Sequence, residues 1–272
     1  MGVLPLYNRS LLAESQRERI DVVLVSPRNP LNIGAVARAM ANFGFARLSV
    51  VAPYEPHWRE ARSAVGAPNL LANSRQVASL AEAVCNSTMV LGTGTLTHRQ
   101  PEQAVVRLSE LAPLVAEELR RGGQIALVFG SEKHGLTRHD LSYCNVLVQI
   151  PTDPRQPSMN LGQAAAVCLY ELATRVGSST APSGSVAGSV GADAETVQPH
   201  NTSEMTSGHL DLLAGLIEEV MVAAKYSPQS MQEANRHGMR LMLRRLQLNA
   251  VDNRRALGLF RRILWRFKRI QP

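Results

Sequence analysis

Short apolar runs alternate with longer helical patterns over the first 176 residues of this 272-residue chain. Each run is too short for a helix and is bounded by Gly, Pro or polar residues, so each is a predicted strand. Alternation of strands and helices predicts an α/β fold, in which helices cover both faces of a parallel sheet. The predicted strands are Asp21–Ser26, Arg47–Val51, Thr88–Gly92, Gln124–Gly130 and Val146–Ile150.

The segments between these strands carry apolar residues at helical spacing. In the first segment Ile33 and Met40 share one face, and Asn32 is the expected N-cap. Ser74 is a candidate cap for a second helix that continues to Val84. The remaining predicted helices run from Pro101 to Leu119, from Thr137 to Tyr143 and from Asn160 to Arg175.

A polar segment, residues 177–208, divides the chain into two parts. It holds 5 Gly and 7 Ser but no aromatic residue, Leu or Ile, so it cannot bury enough apolar surface to become ordered. We predict a sheet domain over residues 1–176, a flexible linker over 177–208, and a small all-helical extension over 209–272. The helices expected in the extension are His209–Ala224, Ser227 to about Leu248, and Asp252–Ile270.

The positive charge of the chain is concentrated in the extension. The whole chain has a net charge of +7, and residues 209–272 hold 12 basic but only 5 acidic residues. Such a field attracts polyanions, so nucleic acid is the expected partner. Phe260, Ile263, Leu264 and Phe267 fall near one helical face and are most simply core, whereas Trp265 lies off that face. The candidate nucleic-acid-binding residues, which the family resemblance described below makes RNA-binding residues, are Arg28, Arg254, Arg255, Arg261, Arg262, Arg266, Lys268 and Arg269.

Other features exclude several classes of protein. No run of about 18 uncharged apolar residues occurs, so we expect no membrane span. The first ten residues carry one Arg and no long apolar run, so we expect no secretory signal. Cys85, Cys144 and Cys168 lie far apart without a CxxC pattern or paired His. We therefore expect no disulfide and no metal site, and a cytoplasmic location.

Candidate functional residues follow the predicted strands, because open parallel sheets bind ligands beyond the carboxyl ends of their strands. After the first strand, Arg38 is either an ordinary surface residue or a cation that binds phosphate or a polar substrate. After the fourth strand, Glu132 lies between two glycines and either accepts hydrogen bonds or is solvated. After the fifth strand, a stiff proline-rich loop leads to Ser158 and Asn160, which open a helix of small residues.

The ordered set of these segments resembles the signature motifs of the SPOUT superfamily, and more narrowly those of TrmH-type RNA ribose 2′-O-methyltransferases. The Arg38–Gly44 continuation, the Val65–Ala67 segment and the helical tail are most similar to the TrmJ type. Ser131 and Met159 depart from that type, which usually has Arg and Leu there. The three motifs are Asn32-x-Gly34-x3-Arg38, Gly130-x-Glu132-x2-Gly135-Leu136, and Ile150-Pro151 leading to Ser158-x-Asn160-Leu161.

The resemblance implies a trefoil knot at the C-terminal end of the sheet domain, whose loops bind S-adenosylmethionine beside the interface of a homodimer. It implies methylation of a ribose 2′-hydroxyl in RNA, with cytidine or uridine at position 32 of the tRNA anticodon loop as the expected target. Ribosomal RNA is the alternative substrate, and a non-catalytic RNA-binding SPOUT protein is the alternative role. A Rossmann-type nucleotide enzyme is disfavoured because GxGxxG is absent after the first strand.

The resemblance also implies residue roles. The attacking hydroxyl is a poor nucleophile until its proton leaves or is strongly hydrogen-bonded. Since a guanidinium is normally protonated, Arg38 is either a perturbed base or a cation that stabilises the developing alkoxide. The implied catalytic residues are Arg38, Asn32, Glu132, Ser158 and Asn160. The implied cofactor-binding residues are Thr93, Gly94, Thr95, Gly130, Ile150, Ser158, Met159, Asn160 and Leu161.

Overall fold

Seven parallel strands form one sheet in the computed structural model, which describes residues 12–94, 101–176 and 205–270. The spatial order of the strands is β3-β2-β1-β6-β4-β7-β5. All five predicted strands are present, so the predicted parallel α/β sheet is confirmed, while the trefoil knot stays a prediction. The strands are β1 (Ile20–Val25), β2 (Arg47–Val51), β3 (Arg75–Val77), β4 (Met89–Thr93), β5 (Ala104–Arg107), β6 (Ile125–Phe129) and β7 (Val146–Gln149).

The described residues also form ten α-helices. Seven belong to the sheet domain, and the last three form the extension, whose helical character is thereby confirmed. They are α1 (Glu14–Arg17), α2 (Pro30–Phe43), α3 (Pro68–Ala72), α4 (Leu80–Val84), α5 (Leu111–Arg120), α6 (Arg138–Leu141), α7 (Leu161–Glu171), α8 (Ser207–Ala223), α9 (Gln232–Arg245) and α10 (Ala250–Ile270). None of the described helices is long and apolar enough to cross a membrane. Of the predicted linker, residues 177–204 lie outside the described ranges.

The sheet is buried on both faces, as its uninterrupted apolar strands require. Successive side chains of a strand point to opposite faces. Val22 and Leu24 of β1 therefore join the core formed with α2, α5 and α7, whereas Val23 and Val25 join the smaller core formed with α4. A third apolar cluster lies among the helices of the extension and includes Leu213.

Two predicted helices are wrong in part because short strands precede them. Residues 75–77 form β3, which pairs with β2, and the following helix α4 is capped by Ser79 rather than Ser74. Residues 104–107 form β5, which pairs with β7, so the helix expected from Pro101 begins only at Leu111. These strands of three and four residues gain their hydrogen bonds from neighbouring strands, and such pairing has no local sequence signal.

Helix caps also differ from expectation at two sites. Asn29, not Asn32, caps α2 by accepting a hydrogen bond from the backbone N–H of Leu31 at 2.9 Å. Pro30 occupies the first helical position, where its missing N–H costs nothing. Asn249 rather than Asp252 caps α10, since its side-chain oxygen accepts from two backbone N–H groups of the first turn.

The extension is anchored to the sheet domain by Arg244, whose side chain is 3% exposed. Its guanidinium donates to the backbone carbonyl of Tyr143 at 3.0 Å and to Oγ of Ser207 at 2.8 Å. It also lies 3.6 Å from Oδ1 of Asp211. Burial raises the pKa of Asp211, although the positive charges of Arg244 and Arg240 oppose the shift. A hydrogen-bonded cation with a nearby carboxylate therefore holds α8, α9 and the sheet domain together.

Two further contacts accompany this anchor. The guanidinium of Arg240 stacks over the ring of Tyr143, with its Cζ atom 4.5 Å from the ring centroid. Arg245 forms a more exposed ion pair with Glu102 at 2.9 Å, next to the segment that leads into β5. The extension consequently contacts both the residues just after α6 and the segment that precedes β5.

We expect Arg244→Met to weaken this anchor, because it removes the buried cation and leaves the carboxylate of Asp211 with one partner fewer. Breaking a buried charge pair in this way costs about 3–5 kcal/mol. Urea unfolding should show the loss, and limited proteolysis should show faster cleavage of the extension. Arg255→Met is the matched control, since Arg255 is exposed and its one ion pair within the described residues is with the half-buried Asp252. A loss as small as that of the control, under about 0.5 kcal/mol, would contradict the assignment.

Candidate active site

The loops that follow four neighbouring strands meet at one edge of the sheet. β1, β6, β4 and β7 lie side by side and run parallel, so their carboxyl ends face the same way. The loops after β1, β6, β4 and β7 contain Arg28, Glu132, Gly94 and Ser158 respectively. Segments more than a hundred residues apart in the sequence are thereby brought together, as the motif pattern predicts.

The carboxylate of Glu132 is the centre of the hydrogen-bond network at this edge. Its Oε2 accepts from the backbone N–H of Arg28 at 2.9 Å. Its Oε1 accepts from the backbone N–H of Asn29 at 3.1 Å and from the side-chain amide of Asn32 at 2.9 Å. An ionised carboxylate is the side chain best suited to accept several donors at once. Glu132 therefore fixes the β1–α2 loop against the loop after β6.

Asn160 extends the network to the third motif. Its side-chain amide donates to Oδ1 of Asn32 at 3.0 Å. The oxygen of the same side chain caps α7 by accepting from the backbone N–H of Gly162 at 2.9 Å. The predicted residues Asn32, Glu132 and Asn160 thus form one continuous chain of hydrogen bonds.

The environment of Glu132 favours its charged form. Burial acts in the opposite direction, but the hydrogen bonds from the Asn32 side chain and from the backbone of Arg28 and Asn29 outweigh it and lower the pKa of Glu132. A carboxylate that stays ionised is a permanent acceptor, which suits a positioning role. It does not suit a general acid, which must carry a proton near neutral pH.

A cleft of about 800 Å³ opens beside this network. Part of its wall is bare backbone: a Cβ atom on Gly130 would come within 2.0 Å of the carbonyl carbon of Gly135, while a Cβ on Gly94 would meet nothing within 4 Å. Apolar side chains, including Leu147, form another part. The cleft has the size and mixed lining typical of a site for a small organic ligand. The predicted cofactor-binding residues that line it are Thr93, Gly94, Gly130, Ile150, Ser158, Met159 and Leu161.

The other two predicted cofactor-binding residues, Asn160 and Thr95, are not among the residues that line the cleft. Asn160 is absent from the cleft lining, because its side chain is engaged by Asn32 and by the first turn of α7. Thr95 lies outside the described residues. Arg107 and Lys133 line the cleft although the sequence reasoning did not single them out. Lys133 could have been noticed as the neighbour of Glu132, whereas Arg107 becomes visible only once β5 is known.

Arg38 is not among the residues that line this cleft. It is exposed in the middle of α2, which packs against α7. Six residues separate it from Asn32, and a helix turns by about 600° over that distance, so the two side chains point to different sides. The structure therefore brings four of the five predicted catalytic residues to one edge and leaves Arg38 on the outer surface of the α2–α7 pair.

The predicted RNA-binding cations of α10 are all exposed. Leu264 and Leu257 are buried on the opposite face. Phe260 packs partly against the apolar cluster that includes Leu257. The core interpretation of that face is thus confirmed for Phe260 and Leu264. Trp265 is 39% exposed, and the Cζ atoms of Arg262 and Arg269 lie 4.4 and 4.6 Å from its ring centroid. The exposed cations are Arg254, Arg255, Arg261, Arg262, Arg266, Lys268 and Arg269.

No group of three or more potential metal ligands occurs among the described residues. Cys85, Cys144 and Cys168 are all free thiols. Burial raises the pKa of both Cys144 and Cys168 to about 12, so neither is a reactive thiolate at neutral pH.

The parallel sheet, with its cleft at the strand ends and its appended helices, fits the α/β fold of the SPOUT methyltransferase class. Comparison with known sequences makes this more specific. The profile of the SpoU rRNA Methylase family matches residues 19–170, more than half of the chain, and the chain belongs to that family.

Two relatives show how far the similarity extends. The tRNA (cytidine/uridine/adenosine-2'-O-)-methyltransferase TrmJ of Pseudomonas aeruginosa is 41% identical over 156 residues, which cover 57% of this chain and 60% of the relative. The tRNA (cytidine-2'-O-)-methyltransferase TrmJ of Methanocaldococcus jannaschii is 36% identical over 159 residues, which cover 57% and 68%. The matched segment thus spans about three fifths of the first of these relatives.

Solved structures show the same fold. The crystal structure of TrmJ from Z. mobilis ZM4 superposes with a TM-score of 0.72 at 24% identity, covering 89% of this chain and 98% of that one. A probable methyltransferase from Bordetella pertussis Tohama I superposes with a TM-score of 0.55 at 28% identity, covering 59% and 97%. The first match includes far more of this chain than the family profile does.

Glu132→Gln should destabilise the protein by about 1–2 kcal/mol at pH 7, because an amide replaces one acceptor oxygen with a donor that faces other donors. The pKa of Glu132 is lowered in the folded protein, so its stabilising effect is present above the unfolded pKa of about 4.3. The effect is lost as the pH falls through the lower folded pKa.

Urea unfolding of wild type and Glu132→Gln at several pH values measures this difference. The gap in unfolding free energy should be largest near neutral pH and shrink below about pH 4. Glu14→Gln, which removes an exposed charge in α1, is the matched control. A gap that does not change with pH would show that the network does not depend on the ionised carboxylate.

Proposed function

We propose that this protein transfers a methyl group from S-adenosylmethionine to a ribose 2′-hydroxyl of RNA. We further propose that the substrate is tRNA, methylated at cytidine or uridine 32 of the anticodon loop. The observation that carries the proposal is the hydrogen-bonded chain of Glu132, Asn32 and Asn160 beside a cleft of about 800 Å³. Family membership supports the reaction, and the names of the two TrmJ relatives support tRNA as the substrate.

The cleft residues fit S-adenosylmethionine. The volume of the cleft is in the range of small-molecule sites, and the apolar side chains of the cleft can cover an adenine ring. Backbone at Gly94 and Gly130 can approach the ligand closely because neither residue has a side chain. When bound, S-adenosylmethionine supplies a methyl group on a sulfonium centre. Thr93, Ile150, Ser158, Met159 and Leu161 would hold it, together with Thr95 and the helix cap Asn160.

The residues of the chain must then align and activate the attacking hydroxyl, which accounts for most of the rate gain in a displacement of this kind. Glu132 and Asn32 would orient the ribose or the loop that carries it. Arg38 would act on the 2′-hydroxyl in one of two ways. As a neutral guanidine it would accept the proton, and as a cation it would stabilise the developing alkoxide while solvent takes the proton. No step in this scheme uses a metal ion.

In a homodimer, Arg38 of one protomer would lie beside the cleft of the other protomer. Leu31 and Tyr170 are each 54% exposed, and Val167 is 39% exposed, all on α2 and α7. Residues 31 and 38 are two turns apart on one face of α2, so Arg38 lies beside this apolar surface. Burying that surface against a second copy favours a homodimer in which Arg38 of one protomer completes the site of its partner.

Arg38→Ala should lower the rate of methyl transfer at least 100-fold, since either role of the guanidinium is lost. Folding and S-adenosylmethionine affinity should stay near wild type because the side chain is exposed and lines no cleft in its own protomer. The assay uses labelled S-adenosylmethionine, bulk tRNA and mass spectrometry of the digested nucleosides. Near-normal turnover would refute the role of Arg38.

Mixed dimers test the shared site. Arg38→Ala protomers and Glu132→Ala protomers, each inactive alone, should recover part of the activity when mixed, since one of the two sites then has both residues intact. Recovery requires that Arg38 acts across the interface. If the protomers are shown to exchange between dimers and no activity is recovered, Arg38 and Glu132 act within the same protomer.

Ribosomal RNA is a second candidate substrate, because the matching family is described by its rRNA methylases. The same assay with purified ribosomal RNA in place of tRNA distinguishes the two. Binding of either RNA without methyl transfer would instead support a non-catalytic role.

The extension would bind the RNA backbone through the exposed cations of α10. Arg261 and Arg266 are exposed, and within the described residues neither forms an ion pair. Arg261→Gln/Arg266→Gln should therefore weaken tRNA binding while leaving S-adenosylmethionine binding intact. The slope of log affinity against log salt should become shallower by about 2, one unit for each lost phosphate contact.

Arg120→Gln/Arg121→Gln is the control of equal charge, because these residues pair with Glu117 on α5, away from α10. Filter binding at several salt concentrations measures both variants. Equal salt slopes for the two would mean that only net charge, and not the surface of α10, governs RNA affinity.

A further inference from the structure

An exposed aromatic ring lies next to the Glu132 network. Tyr54 is 66% exposed and follows the end of β2. The Cζ atom of Arg28 lies 4.9 Å from the centroid of its ring. The backbone N–H of Arg28 is itself bound by Glu132, so the ring is connected to the network through a single residue. Tyr54 belongs to none of the three sequence motifs and does not line the cleft.

The backbone holds this ring in place. Ser26 and Ala52, which follow β1 and β2, have φ angles of 47° and 41°, in the left-handed region that non-glycine residues rarely adopt. Both are fixed by strand-type hydrogen bonds, from Ser26 to the carbonyl of Val51 and from Ala52 to that of Val77. Strain of this kind persists only where the surrounding structure imposes it, and it clusters at functional sites.

The two strained turns together direct Tyr54 toward the β1–α2 loop. The backbone N–H of Tyr54 donates to the carbonyl of Pro27 at 3.1 Å, which ties the start of one loop to the other. Arg28 then covers part of the ring, and the remaining surface is open to solvent. An aromatic ring this exposed adds little to the core, and its hydroxyl makes no hydrogen bond within the described residues.

We propose that Tyr54 and Arg28 form a stacking surface for an unpaired base that neighbours the methylated nucleotide. The inference rests on the proposed function and adds a positioning residue to it. Bases of single-stranded RNA stack on aromatic side chains and on guanidinium planes, and the pair presents both. The position fits, because Arg28 connects the ring directly to Glu132. Such stacking would hold the anticodon loop beside the cleft and would contribute mainly to RNA affinity.

Kinetics of Tyr54 variants test the proposal. Tyr54→Ala should raise the KM for tRNA roughly 10-fold, within the range for loss of one base stack, while kcat changes less than about twofold. Tyr54→Phe should restore the wild-type KM, because the ring is kept. Tyr54→Leu, which keeps the apolar bulk without an aromatic face, should behave like Tyr54→Ala. A normal KM for Tyr54→Leu would overturn the stacking role.

Fluorescence provides a readout that a purely structural role would not change. An anticodon stem–loop RNA with 2-aminopurine beside the target nucleotide should be quenched on binding wild type and Tyr54→Phe, but not on binding Tyr54→Leu. Equal quenching by all three would refute the proposal. A change in oligomeric state for Tyr54→Leu, measured by light scattering, would assign the ring to a protein interface and also refute it.

The failure of this inference is distinguishable from the failure of the proposed function. If wild type transfers methyl groups to tRNA but the Tyr54 variants match it, only the stacking surface is wrong. If wild type transfers none to any RNA, the proposed reaction is wrong, and the fluorescence assay still decides whether Tyr54 stacks on a base.

Discussion

The carboxylate of Glu132 joins parts of the chain that the sequence separates by about a hundred residues. Two backbone N–H groups before α2 and the amide of Asn32 all converge on its two oxygens. These donors lie at the start of a helix, where the helix dipole also favours a negative charge. The low pKa of Glu132 follows from the same contacts. The loop geometry at the cleft mouth, including the positions of Arg28 and Asn160, depends on this one group.

The geometry of α2 explains why one chain does not complete the proposed site. Asn32 turns toward Glu132, and Arg38, six residues later, points from another side of the same helix. No rotation of α2 brings both side chains to one cleft without exposing its buried face, which includes Ile33 and Met40. The proposed homodimer would remove this conflict, because Arg38 of one copy would serve the cluster around Glu132 of the other.

The extension packs against the sheet domain and is not a flexible basic tail. Arg244 is buried against Tyr143 and Ser207, and α8 begins with backbone hydrogen bonds to residues 85 and 87 of the sheet domain. Its apolar face is used internally, so the cations of α10 face outward. A rigidly held basic surface loses less conformational freedom when it binds RNA than a flexible one would.

The sequence by itself determined the main strands, the helices between them and the outward basic face of α10, because apolar periodicity reports which side of an element is buried. Through the resemblance of its motifs to a known family, the sequence also indicated the loops that line the cleft. Only the tertiary structure decided that residues 75–77 and 104–107 are strands, that Asn29 caps α2, and that Arg38 faces away from the cleft of its own chain. Those outcomes depend on which segments become neighbours, and periodicity does not specify the neighbour.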